Sequence, residues 1–114
     1  MNKLRVGICG WGNVATGLFK TLQTNSVEIK KRSNLEIEII AIGARRDNPK
    51  CDPGNVIIER DIFKIIDHDI DVIVELIGGV DVARDLILKA LNAKKHVVTA
   101  NKAVIFNHGD ELFS

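Results

Sequence analysis

Gly10, Gly12 and Ala15, with Gly17 two positions further on, fit the spacing GxGxxG/A in the segment Gly10-Trp11-Gly12-Asn13-Val14-Ala15. Such a segment does its chemistry through bare backbone. Gly10 permits a tight turn, Gly12 lets a pyrophosphate approach the chain, and Ala15 or Gly17 lets a helix pack close to a sheet. Helix amides around Trp11 and Asn13 then receive the phosphate charge. A tight turn with no ligand is the competing reading, because glycines also serve packing. The position between an apparent strand and an apparent helix favours the cofactor. Gly7 lies inside the strand, where close backbone approach is explanation enough.

A second group follows the next apolar segment, in Gly43-Ala44-Arg45-Arg46-Asp47. In a dinucleotide fold an acidic side chain here binds ribose hydroxyls, and an arginine accepts a 2′-phosphate. Arg45 and Arg46 precede any carboxylate, which tilts the choice toward NADP; Asp47 could still reach a ribose, so NAD stays open, as does a plain reading of solvated surface arginines.

The elements that must position these groups are legible in the apolar periodicity. Leu4–Cys9 reads as a strand, and Val14, Ala15, Leu18, Phe19 and Leu22 recur at helical spacing after the glycine turn. That helix is expected to continue to Lys30-Lys31-Arg32, where cations oppose the negative end of its dipole and Glu28 stands four residues before Arg32. Leu35–Ile42 reads as the second strand and Asp47–Gly54, with both prolines, as an exposed loop. Val56–Ile58 reads as a brief strand, and Ile62, Phe63, Ile65 and Ile66 as a short helix. Asp71–Ile77 is a further strand, closed by Gly78-Gly79. Asp81 is placed to cap a helix carrying Val82, Ala83, Leu86, Ile87, Ala90 and Leu91 on one face. His96–Thr99 is the last strand, and Asn101 is placed to cap a final helix.

Strands alternating with helices imply parallel pairing through right-handed crossovers, with helices on both faces: a doubly wound α/β sheet of Rossmann type. Ligands in such sheets collect beyond the carboxyl ends of the strands, here Gly10–Val14, Gly43–Arg46, Ile77–Gly79 and Thr99–Lys102. Lys102 is the only ionisable residue of the last group. Spacing alone leaves it a surface lysine in a first helical turn.

Composition agrees with one folded domain over residues 1–114. Hydrophobic residues make up 46% and charged residues 27%, too apolar for a disordered chain and too polar for a membrane protein. Ile and Val together number 27 against nine Leu, an excess that suits buried strands. Sixteen basic against fifteen acidic side chains leave a charge of +1, far from the field that draws a protein to nucleic acid or anionic lipid. No signal-length or membrane-length apolar run occurs, and Cys9 and Cys51 form no CxxC pair, so a reducing cytoplasmic setting is expected.

Other constellations carry less. Asp67-His68-Asp69-Ile70-Asp71 lacks the glycine and late glutamate of a calcium loop and reads as a solvated turn. His96 and His108 have no partners at zinc spacing, so no metal site is expected. Glu75 interrupts an apolar strand and must face the crevice or find a partner, structural pairing being favoured over acid–base duty. Neither Cys9 nor any serine sits in a nucleophile arrangement.

Val74-Glu75-Leu76-Ile77-Gly78-Gly79, Ala90-Leu91 and His96-Val97-Val98-Thr99-Ala100-Asn101-Lys102 together resemble the amino-terminal domain of homoserine dehydrogenase. The likeness runs over nearly the whole chain, and its last string is far more specific than any GxGxxG. Related sugar-oxidising dehydrogenases usually carry Glu-Lys-Pro in place of Ala100-Asn101-Lys102. The resemblance implies hydride transfer between L-homoserine and L-aspartate 4-semialdehyde with NAD(P), on the route to threonine, methionine and isoleucine. By motif match it places Lys102 beside nicotinamide and substrate, and Asn13, Val14, Arg45, Ile77, Gly78 and Thr99 along the dinucleotide. Homo-oligomerisation is implied for the full enzyme.

Two departures accompany the likeness. Lys94 stands where the family usually has glycine, and the chain ends before the family's substrate and dimerisation region. The resulting expectation is a fragment that binds dinucleotide weakly without turnover. The rival readings are a non-catalytic NAD(P)-sensing module, which gives no reason for Thr99-Ala100-Asn101-Lys102, and another two-domain dehydrogenase sharing this half.

Overall fold

A computed structural model of the protein describes residues 2–49, 51–78 and 80–99. Among the described residues five strands form one sheet: β1 (Asn2–Cys9), β2 (Leu35–Gly43), β3 (Ile57–Glu59), β4 (Val72–Glu75) and β5 (His96–Thr99). Their order is β3-β2-β1-β4-β5, with every neighbouring pair parallel. The chain builds outward from β1 to β3, then crosses to β4 on the other side of β1. That reversal creates the crevice between the loops after β1 and β4. The expected doubly wound sheet is thus the observed one.

Period-2 alternation in β1 divides the core between the two faces. Val6 and Ile8 pack with Trp11, Ala15 and Phe19 of the glycine turn and α1 (Asn13–Thr24). Cys9 packs with Ile65, Ile73, Leu86 and Ala90, which belong to the 3-10 helix Ile62–Asp67, to β4 and to α3 (Asp81–Asn92). A register shift between Val6 and Gly7 leaves Ile40 as an extra residue in β2, since Val6 pairs with Ile39 and Gly7 with Ala41. The bulge changes the parity of β2: Ile37 and Ile39 face α1 before it, Ile42 and Ala44 after it. Gly7 is closely surrounded: a Cβ there would lie 3.0 Å from Ile70 Cδ1 and 3.1 Å from Ile65 Cδ1, so those side-chain ends would have to give way.

Several elements differ from the sequence expectation. The first helix is not continuous: α1 stops at Thr24 and α2 (Ser26–Ser33) begins after Asn25, in a Thr-Asn-Ser run of weak helix formers. The basic cluster does occupy the last turn of α2, and Arg32 Nε donates to Glu28 Oε1 at 2.9 Å. Asn34 ends α2 in the left-handed region, at φ 53°, which asparagine tolerates better than most residues. Val80, not Asp81, is the N-cap of α3, and among the described residues no side chain caps it. β4 ends at Glu75, two residues before the expected Ile77. Gly17 meets nothing within 4 Å of a built Cβ, so close packing of α1 rests on Ala15, which is buried in the core. The 47–54 loop is not wholly exposed, because Cys51 is buried against the Trp11 cluster.

The acidic turn before β4 is bound to the sheet. Asp71 Oδ2 accepts from the Arg5 amide at 2.9 Å, the Arg5 carbonyl accepts from the Asp71 amide at 2.8 Å, and Asp69 pairs with the Arg5 guanidinium. The helix expected from Asn101 lies outside the described residues.

Candidate functional site

In a parallel sheet the residues of one transverse row point to one face. Register pairs Glu59 with Gly43, Gly43 with Cys9, Cys9 with Glu75, and Glu75 with Thr99, so a single row crosses the carboxyl ends of all five strands. His68 Nε2 lies 2.7 Å from Glu59 Oε1 at one end of this row. At the other, the Thr99 hydroxyl donates to Glu75 Oε2 at 3.1 Å. Glu75 is fully buried, and the pairing gives it the structural partner expected of a carboxylate inside a strand. Burial, and after it the neighbouring Glu75 charge, pushes the Cys9 thiol up to about 12.

Beyond the row the chain leaves in loops that converge on a cleft of about 360 Å³. Gly10, Trp11 and Gly12 supply one wall, Gly43, Arg45 and Arg46 a second, and Leu76, Ile77 and Gly78 a third, with Ile62 at the base of the 3-10 helix. Three of the four loop groups expected beyond the strand ends are therefore brought together.

Each glycine of the turn serves a different physical need. Gly10 has φ +108°, and a Cβ there would lie 2.7 Å from the Leu76 carbonyl oxygen, so only glycine fits between the two loops. Its amide donates to the Gly43 carbonyl at 2.8 Å and is not free for a ligand. Gly12 is the N-cap of α1 with extended backbone, φ −91° and ψ −161°, and a built Cβ would meet nothing within 4 Å. Gly12 also lines the cleft, so the open space at its Cα belongs to a cleft residue. Trp11 is buried, its ring edge-on to Phe19 with centroids 5.3 Å apart. Asn48 Nδ2 donates to the Trp11 carbonyl at 3.1 Å, tying the loop after β2 to the turn.

Among the described residues, the N-terminus of α1 carries neither a side-chain cap nor an acidic residue in its first turn. Its leading amides have no intrahelical acceptor and make the positive end of the helix dipole. Asn13 and Val14 are exposed on that first turn, next to the cleft lining and not part of it. Arg45 and Arg46 are exposed on the wall supplied by the loop after β2. Asp47, the carboxylate that could have served a ribose, pairs instead with Arg60.

Thr99 sits at the end of β5 with its hydroxyl on Glu75, outside the lining. Lys102 lies outside the described residues. Leu76 and Ile62 line the cleft without having been singled out as site residues, and Gly43 had entered only as the start of an expected loop group. Gly43 closes β2 opposite Cys9, and Leu76 contacts Gly10 across strands, signals that need the register. Nothing in the sequence marks Ile62.

The profile of the family described as "Homoserine dehydrogenase, NAD binding domain" matches residues 10–114. The chain belongs to the homoserine dehydrogenase family. It is 51% identical to the homoserine dehydrogenase of Pseudomonas aeruginosa over 115 residues, covering 100% of this chain and 26% of the relative. Against that of Methylobacillus glycogenes the identity is 42%, covering 92% of this chain and 26% of the relative. Among solved structures, a homoserine dehydrogenase from Thiobacillus denitrificans superposes with a TM-score of 0.89 at 36% identity, covering 98% of this chain and 26% of that one. The chain thus spans about a quarter of the length of the curated homoserine dehydrogenases it matches. The likeness carried by the His96–Lys102 string is borne out, and the matched region is the family's NAD-binding domain. Among the described residues no helix is long and apolar enough to cross a membrane.

Proposed function

We propose that residues 1–114 work as the dinucleotide-holding domain of a homoserine dehydrogenase that prefers NADP(H) to NAD(H). The observation that carries the reading is the bare start of α1, uncapped and opening through Gly12 onto the cleft. A pyrophosphate fits there because its charge meets free amides and no Cβ intervenes. The nicotinamide, when bound, supplies the hydride chemistry that interconverts L-homoserine and L-aspartate 4-semialdehyde.

This chain's own residues bind and orient. Gly10 locks the glycine turn against Leu76, which sets the direction of α1. Arg45 and Arg46 hold a 2′-phosphate at the wall supplied by the loop after β2, a preference supported by the engagement of Asp47 with Arg60. Ile77 and Gly78 line the cleft on the side of β4, and the motif match assigns Lys102 the role of a cation beside substrate and nicotinamide. Both cysteines are free and buried, which supports a reducing, cytoplasmic compartment. Assembly as a homo-oligomer accompanies this reading.

Trp11 is the only tryptophan, and it lies directly under the turn, so its emission reports binding. Parallel titrations with NADPH and NADH test the reading. NADPH is expected to bind at least about tenfold tighter, a difference of about 1.4 kcal/mol. Tighter NADH removes the preference, and binding of neither removes the reading.

A further inference from the structure

We infer that Arg60 tunes the dinucleotide preference of the cleft from outside it, by occupying the Asp47 carboxylate and holding the loop that presents Arg45 and Arg46. The inference rests on the dinucleotide reading above and deepens it.

The loop after β2 runs Ala44-Arg45-Arg46-Asp47. Arg45 and Arg46 line the cleft, whereas Asp47 does not. Arg60 Nη2 pairs with Asp47 Oδ1, and Nη1 of the same guanidinium donates to the Ala44 carbonyl at 3.3 Å. The Ala44 amide in turn donates to the Glu59 carbonyl at 2.9 Å. Residues 59 and 60 therefore hold both ends of a four-residue turn, and the two arginines project from between the fixed ends. Arg60 is itself placed by β3, whose pairing with Ala41–Gly43 brings it alongside the loop.

The sign of the effect follows from charge. A carboxylate released at this position accepts hydrogen bonds from the ribose hydroxyls of NADH and repels the 2′-phosphate of NADPH. While Arg60 holds it, neither happens, and the arginines act alone. The planar, forked guanidinium can bridge a carbonyl and a carboxylate together; a lysine ammonium cannot span both in the same way. The pair is solvent-exposed, with side-chain exposures of 53% and 84%, so its influence is bounded at about a factor of two to five.

The test is a double-mutant cycle on the intact protein, with Arg60→Gln, Asp47→Asn and the two combined, reading the dissociation constants of NADPH and NADH through Trp11. Arg60→Gln is expected to tighten NADH and weaken NADPH by about two- to five-fold each. Asp47→Asn alone leaves NADH within about a factor of two, and in its background the NADH gain of Arg60→Gln disappears. Arg60→Lys falls between wild type and Arg60→Gln, which keeps the test open if the glutamine variant misfolds.

Three results overturn the inference: no NADH gain in Arg60→Gln, a gain that survives Asp47→Asn, or a loss of NADPH binding with NADH unmoved, which makes Arg60 a direct phosphate ligand. These are distinct from failure of the underlying reading. If the wild-type protein binds neither dinucleotide, both fall. If it prefers NADPH and the cycle shows no coupling, only the role of Arg60 falls.

Discussion

A Cβ on Gly10 would lie 2.7 Å from the Leu76 carbonyl oxygen, so the loops that follow β1 and β4 are in backbone contact at the point where the strand order reverses. With φ at +108°, the same residue occupies a conformation that side chains rarely adopt. Gly10→Ala therefore combines backbone strain with a clash that no rotamer relieves. The expected loss is about 3 kcal/mol or more in stability, read from urea unfolding. A variant as stable as the parent contradicts the contact.

Gly12→Val should separate folding from binding. Its backbone is extended and its surroundings open, so the fold loses about 1 kcal/mol at most, as for a poorer N-cap. Two methyl groups then stand between a pyrophosphate and the amides of α1, and dinucleotide affinity falls at least about tenfold. Comparison of denaturant midpoints with Trp11 titrations checks both parts. Unchanged affinity would place the nucleotide elsewhere.

Acid should loosen the sheet where β4 begins. The Arg5 amide bonded to Asp71 holds its carboxyl below the usual range, with the Arg5 cation acting in the same direction and partial burial opposing them. A folded pKa below the unfolded one gives stability that is present above the unfolded value, about 3.9, and lost as the pH falls through the folded value. Asp71→Asn should therefore flatten the decline in denaturant midpoint between about pH 5 and pH 3. An identical slope in parent and variant would show that Asp71 is not a source of that dependence.

Cys9 should be chemically silent in the folded protein. Its thiol is pushed up to about 12, chiefly by burial, and thiolate is what alkylating reagents attack. Iodoacetamide at pH 8 is expected to leave Cys9 unmodified by peptide mass spectrometry until denaturant is added. Modification at the rate of a free thiol would contradict its placement between the sheet and the 3-10 helix.

What the sequence revealed and what it hid divide along contact range. The succession of strand, glycine turn and helix around Gly10–Ala15 is written in local apolar spacing, and the Glu28–Arg32 pair in local charge spacing, whereas the side chains that crowd Gly7 come from Ile65 and Ile70, far along the chain. The binding of Asp69 and Asp71 to Arg5 spans 64 and 66 residues, and no local pattern announces it. The same holds for Cys51, whose loop has the composition of an exposed turn and yet closes over Trp11. The bulge at Ile40 keeps Ile42 facing α1 in a run where apolar residues on both faces conceal the change of parity. In the site, Gly12 and the arginines were legible from a motif and a rule of position. Leu76 and Gly43 required the register between strands, and the capture of Asp47 by Arg60 required the fold of the loop.

The central claim is that the leading amides of α1 receive the pyrophosphate of a nicotinamide dinucleotide. Amide chemical-shift mapping of the ¹⁵N-labelled protein during titration with NADPH tests it residue by residue. The largest shifts are expected at Gly12, Asn13, Val14 and Ala15, with a second group at Arg45 and Arg46. Saturable binding that leaves those amides unmoved, with its shifts centred on another surface, would contradict the account.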